Sequence, residues 1–315
     1  MTTKYIKPEP SDAIITKFFE TEGSCYCASL IGTMSNLEIA RRAYILGLKS
    51  SKESKSKSRK ASILLKHPEI EKDFETLSDL TNPRSVYILG LLWADGNVSK
   101  TRNRITISTT HPDLESIKAA TQEVGGWLIS HKKAARKKQH WKEQYQLIIS
   151  NPLFKDFLLK YNYGNKSGGS PKEIIESIPA ECRKYWFLGY FDGDGSISKD
   201  GAVLDLASCY DQNWDFMEDL CGEQNIEFKI ERRSLSRGAG SVFRFISYAN
   251  TLAFCRYIYS GENLGFPRKR ERFLKMLEHL RRHNINWNLF GKSNAEKIQL
   301  LLSSFEPSNL VNNAL

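Results

Sequence analysis

Two stretches of this chain repeat one another. Residues 85–100, SVYILGLLWADGNVSK, align without gaps on residues 184–199, KYWFLGYFDGDGSISK, at an offset of 194 − 95 = 99. Leu89/Leu188, Gly90/Gly189, Asp95/Asp194, Gly96/Gly195, Ser99/Ser198 and Lys100/Lys199 coincide. The segments downstream of the two copies also match in type. Strands are predicted over 105–108 and 203–207, and helices over 114–124 and 214–221. Strand pairs are predicted over 127–133 with 144–150, and over 227–234 with 242–247. Closing helices fit 153–160 and 252–258. In 225–231 the apolar Ile226, Phe228 and Ile230 alternate with Glu227, Lys229 and Glu231, the period of a half-buried strand. The expected fold is therefore α+β, an αββαββα unit used twice.

Each repeated helix has a glycine in its middle and a small residue four later, Gly90 with Ala94 and Gly189 with Gly193. A mid-helix glycine costs about 1 kcal/mol against alanine. Small residues one turn apart leave a flat groove that admits a second backbone closely, so Gly90 and Gly189 are expected where the two helices run side by side. Asp95 and Asp194 then fall at the C-terminal tips, where the helix dipole is negative and two carboxylates repel. Stability gives no reason for this placement. A divalent cation does, because hard ions such as Mg2+ take oxygen ligands. Gly96 and Gly195 are expected to permit a sharp turn into the next strand. An EF-hand reading of the run starting at Asp192 fails, since Ile197 and Val203 stand where glycine and glutamate are required. An ordinary Asp-Gly hairpin turn leaves the matched helices unexplained.

A net charge of +10 and a pI near 9.2 favour a polyanionic partner. None of the six cysteines forms a C-x-x-C pair, which argues for reduced thiols and against structural zinc. No apolar run reaches the roughly 18 residues of a membrane span, and residues 1–10 lack a signal-peptide core. An intracellular protein is expected.

Five zones are expected: a helical domain over 1–48, a basic linker with a short helix over 49–82, repeats over 83–170 and 171–266, and helices over 267–315. In the first zone Ile14, Ile15, Phe18 and Phe19 recur at helical spacing, and a second helix fits 26–31. Ser35 and Glu38 form a capping box, opening a helix with Ile39, Ala40, Ala43, Tyr44 and Leu46 on one side. This zone reads as helix-turn-helix-like. Residues 35–48, SNLEIARRAYILGL, resemble the DNA-reading helix of such domains, with Arg41 and Arg42 exposed towards DNA; the alternative is a plain helical bundle with two solvated arginines. The run 49–60, KSSKESKSKSRK, has nothing apolar to bury. It is expected to be flexible, and able to track phosphates.

The segments 88–96, ILGLLWADG, and 187–195, FLGYFDGDG, resemble the two motifs of single-chain LAGLIDADG homing endonucleases, and the likeness covers about residues 83–273. The approach to the second copy, starting NKSGGSPKEIIESIP at Asn165, is similar too. The resemblance implies a monomer with internal pseudo-two-fold symmetry that cuts double-stranded DNA site-specifically. The strands would form a DNA-binding saddle. Asp95 and Asp194, with the carbonyls of Ala94 and Gly193, would hold Mg2+, or Mn2+ in its place, at the two scissile phosphates. Lys166 and Lys269, at offsets of 71 and 75 from the acids, resemble the family's basic residues. One departure is the sixth motif position, Trp93 in one copy and Asp192 in the other, which makes the half-sites chemically unlike and predicts an asymmetric target. Candidate base-reading residues are Arg102, Arg104, Thr106, Lys133, Arg136, Lys138, Gln144 and Gln146 in the first copy, and Lys229, Arg232, Arg233, Arg237 and Arg244 in the second. Residues 131–140 are expected at a hairpin tip. A non-cleaving DNA-binding regulator and an RNA-binding intron maturase are the two other readings.

Overall fold

The computed structural model describes residues 9–132, 144–235, 238–282 and 292–303. The chain divides into two compact units, Met1–Lys72 and Asp73–Leu315.

The first unit is helical: α1 (Asp12–Glu22), α2 (Ser24–Ile31), α3 (Asn36–Ile45) and α4 (Lys52–Lys66). Ile15, Phe19, Cys27, Ile39 and Ala43 form its core. The capping box forms: Ser35 Oγ accepts the Glu38 N–H, and Glu38 accepts the Ser35 N–H in return at 2.7 Å. Gly47, at φ +74°, ends the helix in the left-handed region. The buried face of α3 is narrower than expected. Ile39 and Ala43 are buried, but Ala40 is exposed and Tyr44 is 84% exposed, because α1 and α2 cover only one edge. Arg42 is not a free DNA contact, since Asp12 grips it twice at 2.7 Å and Glu9 adds a contact at 3.3 Å. Arg41 is exposed.

Most of the expected flexible run, from Lys52 on, is the first part of α4. Its packing needs no large apolar side chain. Gly23, at φ +85°, brings its backbone against Ser54 and Ser58, where a Cβ would fall on the Ser58 hydroxyl. Cys25 donates its N–H to Ser58 Oγ at 3.3 Å and its thiol to the Ser58 carbonyl at 3.0 Å. Ser51 caps the helix by accepting the Ser54 N–H. Close backbone approach replaces the hydropathy signal that the sequence lacks. The six cysteines are free thiols.

A helix α5 (Glu69–Leu77) leads into the second unit. Its first repeat is α6 (Pro83–Asp95), β1 (Gly96–Val98), β2 (Ile105–Thr110), α7 (His111–Thr121), β3 (Leu128–Lys132), β4 (Gln144–Ile149) and α8 (Pro152–Lys160). After α9 (Lys172–Ser177) comes the second: α10 (Arg183–Asp194), β5 (Gly195–Ile197), β6 (Val203–Cys209), α11 (Asp215–Gln224), β7 (Lys229–Leu235), β8 (Gly238–Ile246) and α12 (Tyr248–Ile258). Two more helices come after it, α13 (Pro267–Arg282) and α14 (Lys292–Ser303). Each repeat has one antiparallel sheet, ordered β1-β2-β4-β3 and β5-β6-β8-β7. Gly96 pairs Ile107 as Gly195 pairs Leu206, so the registers correspond too. No helix among the described residues is long and apolar enough to cross a membrane.

The core of this unit is built around α6 and α10, which pack on each other. Residues 85–93 and 185–192 are all buried, so these helices are enclosed around their whole circumference rather than striped. A Cβ on Gly90 would fall on the carbonyl oxygen of Trp186, and one on Gly189 on that of Tyr87. Gly96 and Gly195 correct their expected role. Their φ values are −82° and −90°, open to any residue. Space requires the glycine, because a Cβ on Gly96 would lie 2.6 Å from Leu92 Cα.

Candidate active site

The helices α6 and α10 end together. A Cβ on Gly193 would fall on the Ala94 methyl and lie 3.3 Å from Asp95 Oδ2, so the motif tips abut. Asp95 and Asp194 are their last residues; Asp95 reaches solvent and Asp194 is half-buried. The surrounding protein desolvates both carboxyls and raises them above the usual carboxylate range. For Asp95 the rise is opposed by the charges of Lys269 and Lys166. Asp194 is pushed up to about 7, by desolvation first and by the charge of Asp95 second.

Lys166 and Lys269 come to these tips from the chain beyond each repeat. Lys166 Nζ donates to the carbonyls of Gly96 at 2.6 Å, Leu92 at 3.2 Å and Ala94 at 3.2 Å. Lys269 Nζ donates to those of Gly195 at 2.6 Å, Phe191 at 2.6 Å and Asp192 at 2.7 Å. Each ammonium thus directs its three protons at carbonyls around one helix end, where the dipole favours a cation; two of them, Leu92 and Phe191, also accept the N–H of the following cap glycine. Burial lowers both lysines, Lys269 to about 8. The Ala94 carbonyl, expected as a metal ligand, is already engaged by Lys166.

The sixth motif positions carry a second relationship that the sequence does not reveal. Asp192 is 1% exposed; its Oδ2 accepts the Tyr87 hydroxyl and the Phe266 N–H, both at 2.9 Å. Its Oδ1 has no hydrogen-bond partner among the described residues, and burial lifts its carboxyl to about 6. Trp93 instead packs edge-on against Tyr163, ring centroids 5.1 Å apart. Tyr163 donates its hydroxyl to the Leu89 carbonyl at 3.0 Å and accepts from Trp186 Nε1 at 3.2 Å. Tyr163 and Phe266 each stand three residues before a site lysine. The dissimilar pair Trp93 and Asp192 therefore touches equivalent points of the two half-sites. Arg268 adds a bidentate bond to Asp113 at 2.7 and 2.9 Å, fixing the first turn of α13 to α7.

The outer faces of the sheets differ. The first carries uncharged side chains over its centre: Asn97, Thr106 and Ile148 in one row, Ser108 and Gln146 in the next, with Gln146 donating to Ser108 at 3.2 Å. Thr106 is only 6% exposed, and Gln144 is exposed. Arg102 and Arg104 lie in the turn between β1 and β2, the first exposed and the second half-buried. On the second sheet Arg244 is clamped by Asp205 at 2.7 and 2.8 Å and by Glu231 at 2.9 Å, and Lys229 lies 3.5 Å from Glu231. Arg232 does not share that face. Register places it with Ile230 on the other side, where it donates to the Tyr210 and Gln212 carbonyls. Arg233 is the next residue of β7, its side chain outside the described residues, as are Lys133, Arg136, Lys138, Arg237 and most of the expected tip at 131–140. Among the described residues no group of three His, Cys, Asp or Glu side chains could hold a metal.

No protein-family model matches the chain, and no curated protein does. Solved structures give distant matches. These include I-DmoI in complex with DNA and Ca, at 17% identity and a TM-score of 0.43 over 62% of this chain and 97% of that one. The homing endonuclease I-WcaI bound to its DNA recognition sequence matches at 11% and 0.44, over 64% and 91%. The meganuclease I-SmaMI bound to uncleaveable DNA matches at 15% and 0.38, over 72% and 98%. Likeness this weak leaves the functional reading to the protein's own geometry.

Proposed function

We propose that this protein is a site-specific double-stranded DNA endonuclease of the homing type, active as a monomer whose two repeats each address one strand. The abutment of two helix tips, each bearing a carboxylate with an ammonium bound beneath it, is the observation that carries the reading. Both carboxyls sit where burial, the helix dipole and their mutual repulsion disfavour charge.

A divalent cation fits this donor set. Two carboxylates, with no third acid grouped with them among the described residues, leave room for water and phosphate oxygens, the environment Mg2+ prefers, with Mn2+ as a substitute. When bound, the cation supplies a Lewis acid that eases deprotonation of the attacking water and neutralises charge on the reacting phosphate. Asp95 and Asp194 would hold it. Lys166 and Lys269 would fix the carbonyl ends of the two helices and place positive charge beneath the reacting phosphates. The outer sheet faces would read the bases, with Gln144 and Gln146 on one half and Lys229 on the other, where Arg244 is held by Asp205 and Glu231.

Selection of cleaved sites from a random duplex pool, with Mg2+ and then Mn2+, tests the reading. The expected product is one asymmetric site, cut by the parent and by neither Asp95→Asn nor Asp194→Asn. Tight duplex binding without cutting under either metal would favour a regulator, and a preference for structured RNA would favour a maturase.

A further inference from the structure

The helix α4 occupies a region whose sequence reads as a flexible linker, and its order creates a surface. Its packed side consists of Ser54, Ser58 and Ala61, buried or half-buried. At 100° per residue, Lys52, Lys55, Arg59 and Lys66 fall within about 60° of one another on a different side, and all four are exposed. None has an acidic partner among the described residues. Lys57, off this stripe, is taken by Glu22 at 3.0 Å and Glu53 at 3.8 Å. The stripe is roughly 20 Å long, at 1.5 Å per residue.

We propose that this stripe binds the phosphate backbone of duplex DNA, as a contact separate from the sheet faces of the second unit and independent of cleavage. Four like charges with no acidic partner among the described residues suit a polyanion. A membrane surface would require a continuous apolar face for insertion, whereas α4 shows a single exposed large apolar side chain, Leu65, which lies off the stripe. A protein partner would be expected to find an aromatic or apolar anchor, and the stripe offers none. The neighbouring α3 is poorer in free charge, because Asp12 and Glu9 hold Arg42. The contact proposed for α4 is additional to the one expected of the exposed Arg41 on α3.

The test uses the full chain, without divalent metal, on a duplex of about 40 base pairs of arbitrary sequence, with affinity followed from about 50 to 200 mM KCl. Lys52→Gln/Lys55→Gln/Arg59→Gln/Lys66→Gln is expected to flatten the slope of log K against log [KCl] by about 3, since each lost phosphate contact removes up to about 0.9. Arg59→Gln alone is expected to remove about 1, and Lys52→Arg/Lys55→Arg/Lys66→Arg nothing. Circular dichroism checks that the helices remain. Unchanged slopes in the quadruple and single variants overturn the proposal. So does an unchanged duplex slope accompanied by lost adhesion to phosphatidylserine vesicles, which would place the stripe on a membrane. A parent that binds duplex but never cuts sinks the endonuclease reading and leaves this one standing.

Discussion

Asp192 accepts the backbone N–H of Phe266 at 2.9 Å, three residues ahead of Lys269, while its own carbonyl accepts the Lys269 ammonium at 2.7 Å. One residue thus holds both the turn that delivers the lysine and the lysine itself. Asp192→Ala is expected to slow cutting of one strand by about tenfold to a hundredfold, the size of effect a small misplacement produces, and the other strand by less than about twofold. Asp192→Asn keeps an acceptor oxygen and should restore most of the rate. Strand-resolved nicking of an end-labelled target checks this; equal slowing of both strands would contradict the assignment.

Lys166 and Lys269 each satisfy three carbonyls, so their removal has two consequences. Lys166→Met and Lys269→Met should each lower the rate at one half-site by about 10²–10³, the range for loss of one electrostatic stabiliser. Each should also cost about 1–3 kcal/mol of stability by removing three hydrogen bonds to carbonyls around the helix ends. Urea denaturation alongside single-turnover rates separates the two. A pair of stable variants that cut normally would remove the lysines from the site.

Asp194 sets a pH dependence of unusual sign. Its folded-state value near 7 lies above the ordinary carboxylate value of 3.8, so between roughly pH 4 and 7 the folded chain holds a proton that the unfolded chain has lost. Its contribution to stability therefore falls as pH rises through that window, and the penalty is complete above it. Asp194→Asn should flatten this decline in metal-free protein, and Mg2+ should raise Tm more at pH 8 than at pH 6. Thermal denaturation across pH, with and without Mg2+, provides the measurement. A steeper decline in the asparagine variant would refute the assignment.

Gly90→Ala and Gly189→Ala place a methyl group on a facing carbonyl oxygen. Helix propensity alone would favour alanine by about 1 kcal/mol, yet overpacking should dominate and leave a net loss of about 2–3 kcal/mol. Chemical denaturation decides it. A stabilised variant would mean that the two helices are free to move apart.

Much of the architecture is legible in the chain. The repeat and the capping box at Ser35 and Glu38 are local patterns that give similar structure wherever they occur, whereas of the alternating Ile226, Phe228 and Ile230 only Ile230 lies in a strand, which starts at Lys229. The glycines of the repeated helices are legible as steric demands, although Gly96 and Gly195 answer to space and not to φ. The region from Lys52 reads as a linker because hydropathy is blind to helices held by serine hydroxyls against a glycine. Arg232 is misplaced by composition, which ignores side-chain parity, and Arg42 because the acids that hold it lie outside its own helix.

The sequence by itself determined two copies of a helix ending in an acid, and so the pairing of Asp95 with Asp194, because a shared apolar surface with small residues at one spacing has few other ways to be buried. Only the tertiary structure decided what lies beneath those acids. The carbonyls that Lys166 and Lys269 bind are 70 or more residues away in the chain, and Asp192 is 74 residues from the N–H it holds. Backbone acceptors belong to every residue type, so no pattern of side chains announces such bonds.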